Sequence, residues 1–338
     1  MESVSNKRPI DRQRETAITM NVGDEQEPIK GFLSTEDALY TIKEKGVYKV
    51  QLADDIDPER TNPNIPNLSQ KVLSAGDDNE IVARILLTVK CLFDEKNATV
   101  NPFVGRLFEQ SIGLTRHVLE LHEMISSLKE KIIQNKEAFE EREHEPNAFS
   151  LPSIPDLDKD LHNILVKVDK ARDSILSLYR LHFLPEALQK PSLDEYEAAI
   201  QDRLSSEPEI KADWDATKKV LNLIRNIRNA SEHRREGNQL KLKDFEMQPD
   251  GNVNSPILEI EHKDTPIEPV SVVDFLDIIG NIILDQAEGS IVTIRCVALL
   301  DKNPFNEQVG FLPPENRRHP LVRYCRTINL NGEIRILG

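Results

Sequence analysis

Two apolar stripes constrain what this chain can fold into more than any other feature. Leu114, Val118, Leu121, Ile125, Leu128 and Ile132 step by four and three residues in strict alternation, with Phe139 one heptad beyond Ile132. Leu161, Ile164, Val168, Ala171, Ile175 and Leu178 repeat the pattern in a second segment. Only an α-helix gathers side chains at this spacing onto one face. The connection between the stripes is short, proline-containing and acidic, with a net charge of −6 over residues 137–160. Two helices so joined are expected to fold back on each other as an antiparallel hairpin. The stripes then read as bundle core rather than as an intermolecular coiled coil.

The remaining segments arrange themselves around that hairpin. The chain has 338 residues, enough for about two domains or one large domain with extensions. Residues 1–30 are polar, lack periodicity and read as a flexible tail. Residues 31–78 read as a small α/β extension. Ser34-Thr35-Glu36-Asp37 looks like a helix start, with Gly46 as its stop, and Val47–Leu52 as a strand. Asp54, Asp55, Asp57 and Glu59 beside a proline-rich loop read as a solvated turn rather than a metal site. Residues 79–300 read as one helical domain, with helices over Ile81–Phe93, Leu193–Leu204, Pro208 to Glu232 and Ser271 to Leu300. A β-hairpin is inserted at 239–263. Residues 301–338 form a C-terminal extension whose strands, Val322–Leu330 and Glu333–Leu337, turn at Asn331-Gly332. The expected class is therefore mainly α: a helical bundle with a long antiparallel hairpin, small β-hairpin additions and an N-terminal α/β extension.

Charge and motif content exclude several functions. Lys and Arg number 43 against 58 Asp and Glu, a net charge of −15. A field of that sign repels phosphate, so any nucleic-acid contact has to be local. Cys91, Cys296 and Cys325 are far apart and form no CxxC pair, which argues against a zinc ribbon or a disulfide framework. No Gly-rich phosphate loop, HExxH, GxSxG or DxDxDG motif is present, so neither cofactor nor metal is expected. No apolar leader and no apolar run of membrane-spanning length is present, which gives the expectation of a cytoplasmic protein with no membrane contact.

One window departs from the acidic background. Residues 221–240 carry four Arg (Arg225, Arg228, Arg234, Arg235) against two Glu, at the end of the apolar run Val220–Ile227. Asn229 and His233 stand at i and i+4 and share a helix face. Arg228 lies about 140° round from His233 on an ideal helix, so the two meet only where the helix end unwinds or a ligand bridges them. A phosphodiester is such a ligand. Arg offers a fixed charge and a two-pronged donor for phosphate oxygens, and His a proton acceptor or donor near neutral pH. Arg116 and His122 fit a similar spacing, but they sit in the middle of the first heptad stripe and read as surface residues there. Glu288, inside an otherwise apolar helix, reads as solvent-facing. His117, His162 and His182 read as helix residues with polar neighbours.

Arg228-Asn229-Ala230-Ser231-Glu232-His233 resembles the Arg-x(4–6)-His motif of the HEPN superfamily, in its Arg-Asn-x3-His form. The resemblance spans about a dozen residues in sequence and roughly residues 79–300 in architecture. It implies a helical-bundle endoribonuclease of the toxin or antiphage-defence type, working without metal. Cleavage would proceed by attack of the 2′-OH and leave a 2′,3′-cyclic phosphate. Arg228, His233 and Asn229 would be the catalytic group, and Arg225, Arg234 and Arg235 would guide the RNA. The family also implies a homodimer whose paired motifs line one cleft, and an antitoxin or other regulatory protein as partner. The alternative is a non-catalytic HEPN-like scaffold or regulator that binds protein partners through its helical hairpin.

Overall fold

The computed structural model describes residues 8–15, 27–35, 38–93, 102–142, 150–184, 191–204, 207–233, 235–301, 303, 306–330 and 333–337. In chain order the elements begin with α1 (Pro9–Glu15), β1 (Gly31–Ser34), β2 (Leu39–Lys43), β3 (Gly46–Gln51), α2 (Ala53–Ile56) and β4 (Leu68–Leu73). Next come α3 (Glu80–Val82), a π-helical turn (Ala83–Leu87), α4 (Thr88–Leu92), the long α5 (Pro102–Glu140), α6 (Leu157–Phe183), α7 (Leu193–Leu204) and α8 (Pro208–Glu232). The strands β5 (Asn238–Lys243), β6 (Glu246–Met247), β7 (Val253–Asn254), β8 (Ile257–His262) and β9 (Ile267–Ser271) lead to α9 (Val272–Asp301). The last strands are β10 (Glu307–Phe311), β11 (Tyr324–Leu330) and β12 (Glu333–Leu337).

Two compact units result: Met1–Ile112 with Asn306–Gly338, and Gly113–Phe305. In the first, β1 to β4 form an antiparallel meander in chain order, and β10, β11 and β12 form a second sheet. Strand β11 packs on α4. Leu33, Ile42 and Val47 from the meander, and Val82, Ile85 and Val89 from the helical segment, are completely buried. In the acidic loop after β3, Asp55 and Glu59 face water and Asp57 does not. Asp57 is buried and accepts hydrogen bonds from the backbone N–H groups of Thr61 and Asn62 and from Arg14 of α1. Arg14 also donates to Asp54 at 2.8 Å and to three backbone oxygens, those of Ala53, Asp57 and Asn62. So part of the segment read as a tail is a helix, tied to the loop by Arg14 and by the Arg60–Asp11 pair. Among the described residues, no three His, Cys, Asp or Glu side chains are grouped as a metal ion would need.

The second unit is the hairpin and what covers it. All twelve stripe residues between Leu114 and Leu178 are buried. The cross-helix ion pairs Lys131–Asp160 and Lys167–Glu120 show α5 and α6 running antiparallel. Helix α9 lies along α5 as well. A Cβ on Gly280 would come within 3.2 Å of Ile125 Cδ1, so a glycine permits this close approach. There His122 Nε2 is 3.3 Å from the Gly280 carbonyl oxygen. Helix α8 packs against α6 and α9, and sheet β5-β8-β9 packs against α8. Trp214, at the centre of this unit, meets the edge of Tyr179 with ring centroids 5.1 Å apart.

The expected mainly-α class is overturned. The described residues are 55 % helix and 21 % strand, with four small sheets among them. This is too much sheet for a bundle with small additions. The residues responsible are short apolar alternations that pair locally. Leu39-Tyr40-Thr41-Ile42, read as helix, forms β2, because β-branched and aromatic side chains favour the pleated surface. Gly46 opens β3 opposite Lys43 instead of stopping a helix. Strands β9 and β10 each complete a three-stranded sheet where only hairpins were expected. Asn331-Gly332 lies outside the described residues. Glu288 is completely buried in α9 rather than facing solvent. Among the described residues, no helix is long and apolar enough to cross a membrane.

Candidate functional site

The motif sits where α8 ends. Leu221, Ile224, Ile227 and Ala230 turn inward and are buried, which leaves Arg225, Arg228, Asn229 and Glu232 on the outer side. The last helical hydrogen bond runs from the His233 N–H to the Asn229 oxygen at 2.8 Å. His233 itself has left the helix, with φ −115° and ψ 62°. Gly237, expected to stop the helix, comes four residues later. It sits at φ +71° in a tight turn closed by paired hydrogen bonds between Arg235 and Asn238. Only a residue without a Cβ takes up that φ freely.

With the helix unwound at His233, the Arg228 and His233 side chains both approach one carboxylate oxygen. Arg228 Nη2 lies 2.7 Å from Glu232 Oε2, and His233 Nε2 lies 3.9 Å from the same oxygen. Arg228 Nη1 also donates to Asn229 Oδ1 at 3.4 Å. These four side chains form one cluster. Arg225 is exposed one turn earlier, and Arg235 is exposed in the turn beyond. Arg234 lies outside the described residues. The other Arg/His pair is not assembled in this way. Arg116 is exposed, whereas His122 contacts α9.

Helix α6 contributes groups that motif spacing does not reveal. Arg228 Nε is 3.9 Å from Asp169 Oδ2, and Arg172 Nε is 2.8 Å from Asp169 Oδ1. The charges therefore alternate along Arg172, Asp169, Arg228 and Glu232, with His233 at the end. Burial pushes the Asp169 carboxyl above the ordinary carboxylate range, with Arg172 and Arg228 pulling it back. About two turns nearer the start of α6, His162 Nδ1 lies 3.0 Å from Ser231 Oγ, a buried hydroxyl between Arg228 and His233 in sequence. Asn226 of α8 donates to Thr265 Oγ1 at 3.2 Å, which ties the helix to the β8–β9 connection.

A separate groove between α5 and α6, about 540 Å³, is floored by Met124, Leu128 and Ile164. Its lysines are already paired, Lys131 with Asp160 at 2.7 Å and Lys167 with Glu120. Its α6 residues lie on the opposite flank of that helix from Asp169 and His162.

Chemically, the cluster offers a fixed guanidinium, a titratable imidazole and an amide oxygen at a solvent-reaching helix end. His233 is 56 % exposed and Arg228 33 %, so both stay accessible to a ligand. Comparison with protein-family models, curated protein sequences and solved structures finds no match.

Proposed function

We propose that the chain is a HEPN-type, metal-independent endoribonuclease. One observation carries the reading: Arg228 and His233 converge on a single acceptor oxygen, that of Glu232. An RNA phosphodiester oxygen taking that place would meet the Arg228 guanidinium, with the His233 imidazole beside it. In this mechanism His233 accepts the proton of the 2′-OH as its oxygen attacks the adjacent phosphorus. The bond from phosphorus to the 5′-oxygen breaks, and that oxygen takes up a proton from solvent, while His233 later returns its proton to solvent. Arg228 offsets the charge building on the phosphoryl oxygens, and Asn229 steadies Arg228. Arg225, Arg235 and Arg234 guide the strand. The reading carries with it a cytoplasmic toxin or antiphage role, a homodimer as working form, and a regulatory protein that holds the activity in check.

A second reading, a non-catalytic scaffold that binds protein partners, draws on a different observation: the Arg228 guanidinium is already neutralised by Glu232 and approached by Asp169. End-group analysis of digested RNA separates the two. The nuclease leaves 2′,3′-cyclic phosphate and 5′-OH ends, whereas a scaffold leaves the RNA intact.

A further inference from the structure

The sheet that follows the motif brings another imidazole to α8. Strands β5 and β8 pair with Asn238 opposite His262, Leu240 opposite Ile260 and Leu242 opposite Leu258. Leu258 and Ile260 are buried, whereas Glu259 and Glu261 meet Lys241 on the other face. Side chains alternate along a strand. His262 therefore shares the face of Leu258 and Ile260, in a sheet that packs on α8. Asn238, its partner across the sheet, closes the tight turn with Arg235 just beyond His233.

Hydrogen bonds join His262 to the motif helix and fix its ring. Asn226 Nδ2 donates to Thr265 Oγ1 at 3.2 Å, and Thr265 Oγ1 lies 3.1 Å from His262 Nδ1. The Asp264 N–H donates to the same Nδ1 at 3.2 Å. Nδ1 is thus an acceptor, and in the neutral ring the hydrogen sits on Nε2. The ring is half-buried, and no described residue takes up Nε2. His262 offers one fixed, uncharged donor. Asn226 and Asn229 share a face of α8, with His233 at its end, and the helix rises about 10 Å from Asn226 to His233. A nucleotide whose phosphate lies at Arg228 and His233 spans that distance with its base.

We propose that His262 is a specificity residue, donating from Nε2 to a keto oxygen of the base next to the cleaved phosphate. The inference rests on the nuclease reading and names its substrate. Unstacked bases of single-stranded RNA are read on their edges in this way. Uracil presents O4 where cytosine presents an amino group, itself a donor, so uracil is accepted and cytosine refused. The test uses two oligoadenylates, one with a single central uridine and one with a single central cytidine, digested in EDTA. The wild type is expected to cut next to uridine about fivefold faster than next to cytidine, the worth of one hydrogen bond. His262→Asn keeps an acceptor for the Asp264 N–H, as in an Asx-turn, but places no donor where Nε2 stands. It is expected to bring the two rates within about twofold of each other. A wild type that cuts both equally, or prefers cytidine, overturns the proposal whatever the variant does. A His262→Asn variant that keeps the full preference overturns it too. A wild type that cuts neither RNA overturns the nuclease reading itself, and this proposal with it.

Discussion

Glu232 lies against the two side chains on which the proposed chemistry depends. Its oxygen is 2.7 Å from Arg228 and 3.9 Å from His233, so an RNA phosphate has to displace it. Replacing it with glutamine keeps the shape and removes the charge. Partly exposed pairs of this kind are worth up to about 1 kcal/mol. Glu232→Gln is therefore expected to tighten binding of a non-cleavable 2′-O-methyl RNA by up to about fivefold, read by fluorescence anisotropy. Unchanged or weaker binding contradicts the view that Glu232 occupies the anion's place. At this scale the sequence shows only half of the site. Arg228, Asn229 and His233 are legible because helix spacing is a local rule. Asp169, Arg172 and His162 are not, because they reach the motif from α6 through tertiary packing that no local pattern encodes.

Among the elements, the heptad helices were legible for a similar reason. Their burial is periodic, and each stripe residue reports the same face. Strands β9 and β10 gave weaker signals: β9 contains Pro269 and β10 contains Gly310, both poor strand formers whose places are set by neighbouring strands. Helix α1 was illegible because charged contacts of Arg14 and Asp11, not an apolar stripe, anchor it. That anchorage makes a pH prediction. Backbone hydrogen bonds from Asn62 and Thr61 hold the Asp57 carboxyl down at about 2, and a side-chain hydrogen bond from Arg8 does the same for Asp11. A carboxyl whose pKa is depressed on folding stabilises the fold above its unfolded value. That contribution fades as pH falls through the folded value. Thermal unfolding followed by circular dichroism is expected to shift to lower temperature as pH drops from about 4 towards 2. Asp57→Asn should lower stability at neutral pH and flatten that decline. An Asp57→Asn variant with the wild-type slope contradicts the arrangement.

For the whole molecule, the net charge of −15 limits what the site can do. That charge disfavours broad electrostatic capture of RNA, so in the proposed reading binding rests on the few cations at the end of α8. Single strands release about 0.7 counterion per phosphate contact, and about two to four contacts are available here. The logarithm of the RNA affinity is therefore expected to fall with that of salt concentration at a shallow slope, about −1.5 to −3. A much steeper slope would place the binding surface elsewhere on the chain.

The most direct test of the central claim is RNA cleavage in EDTA by the purified chain, compared with a folded His233→Ala variant. The account predicts that the wild type cuts in EDTA and that the variant loses at least about a hundredfold in rate, the lower end of what a general base contributes. Cleavage that requires magnesium, or that survives His233→Ala undiminished, contradicts it.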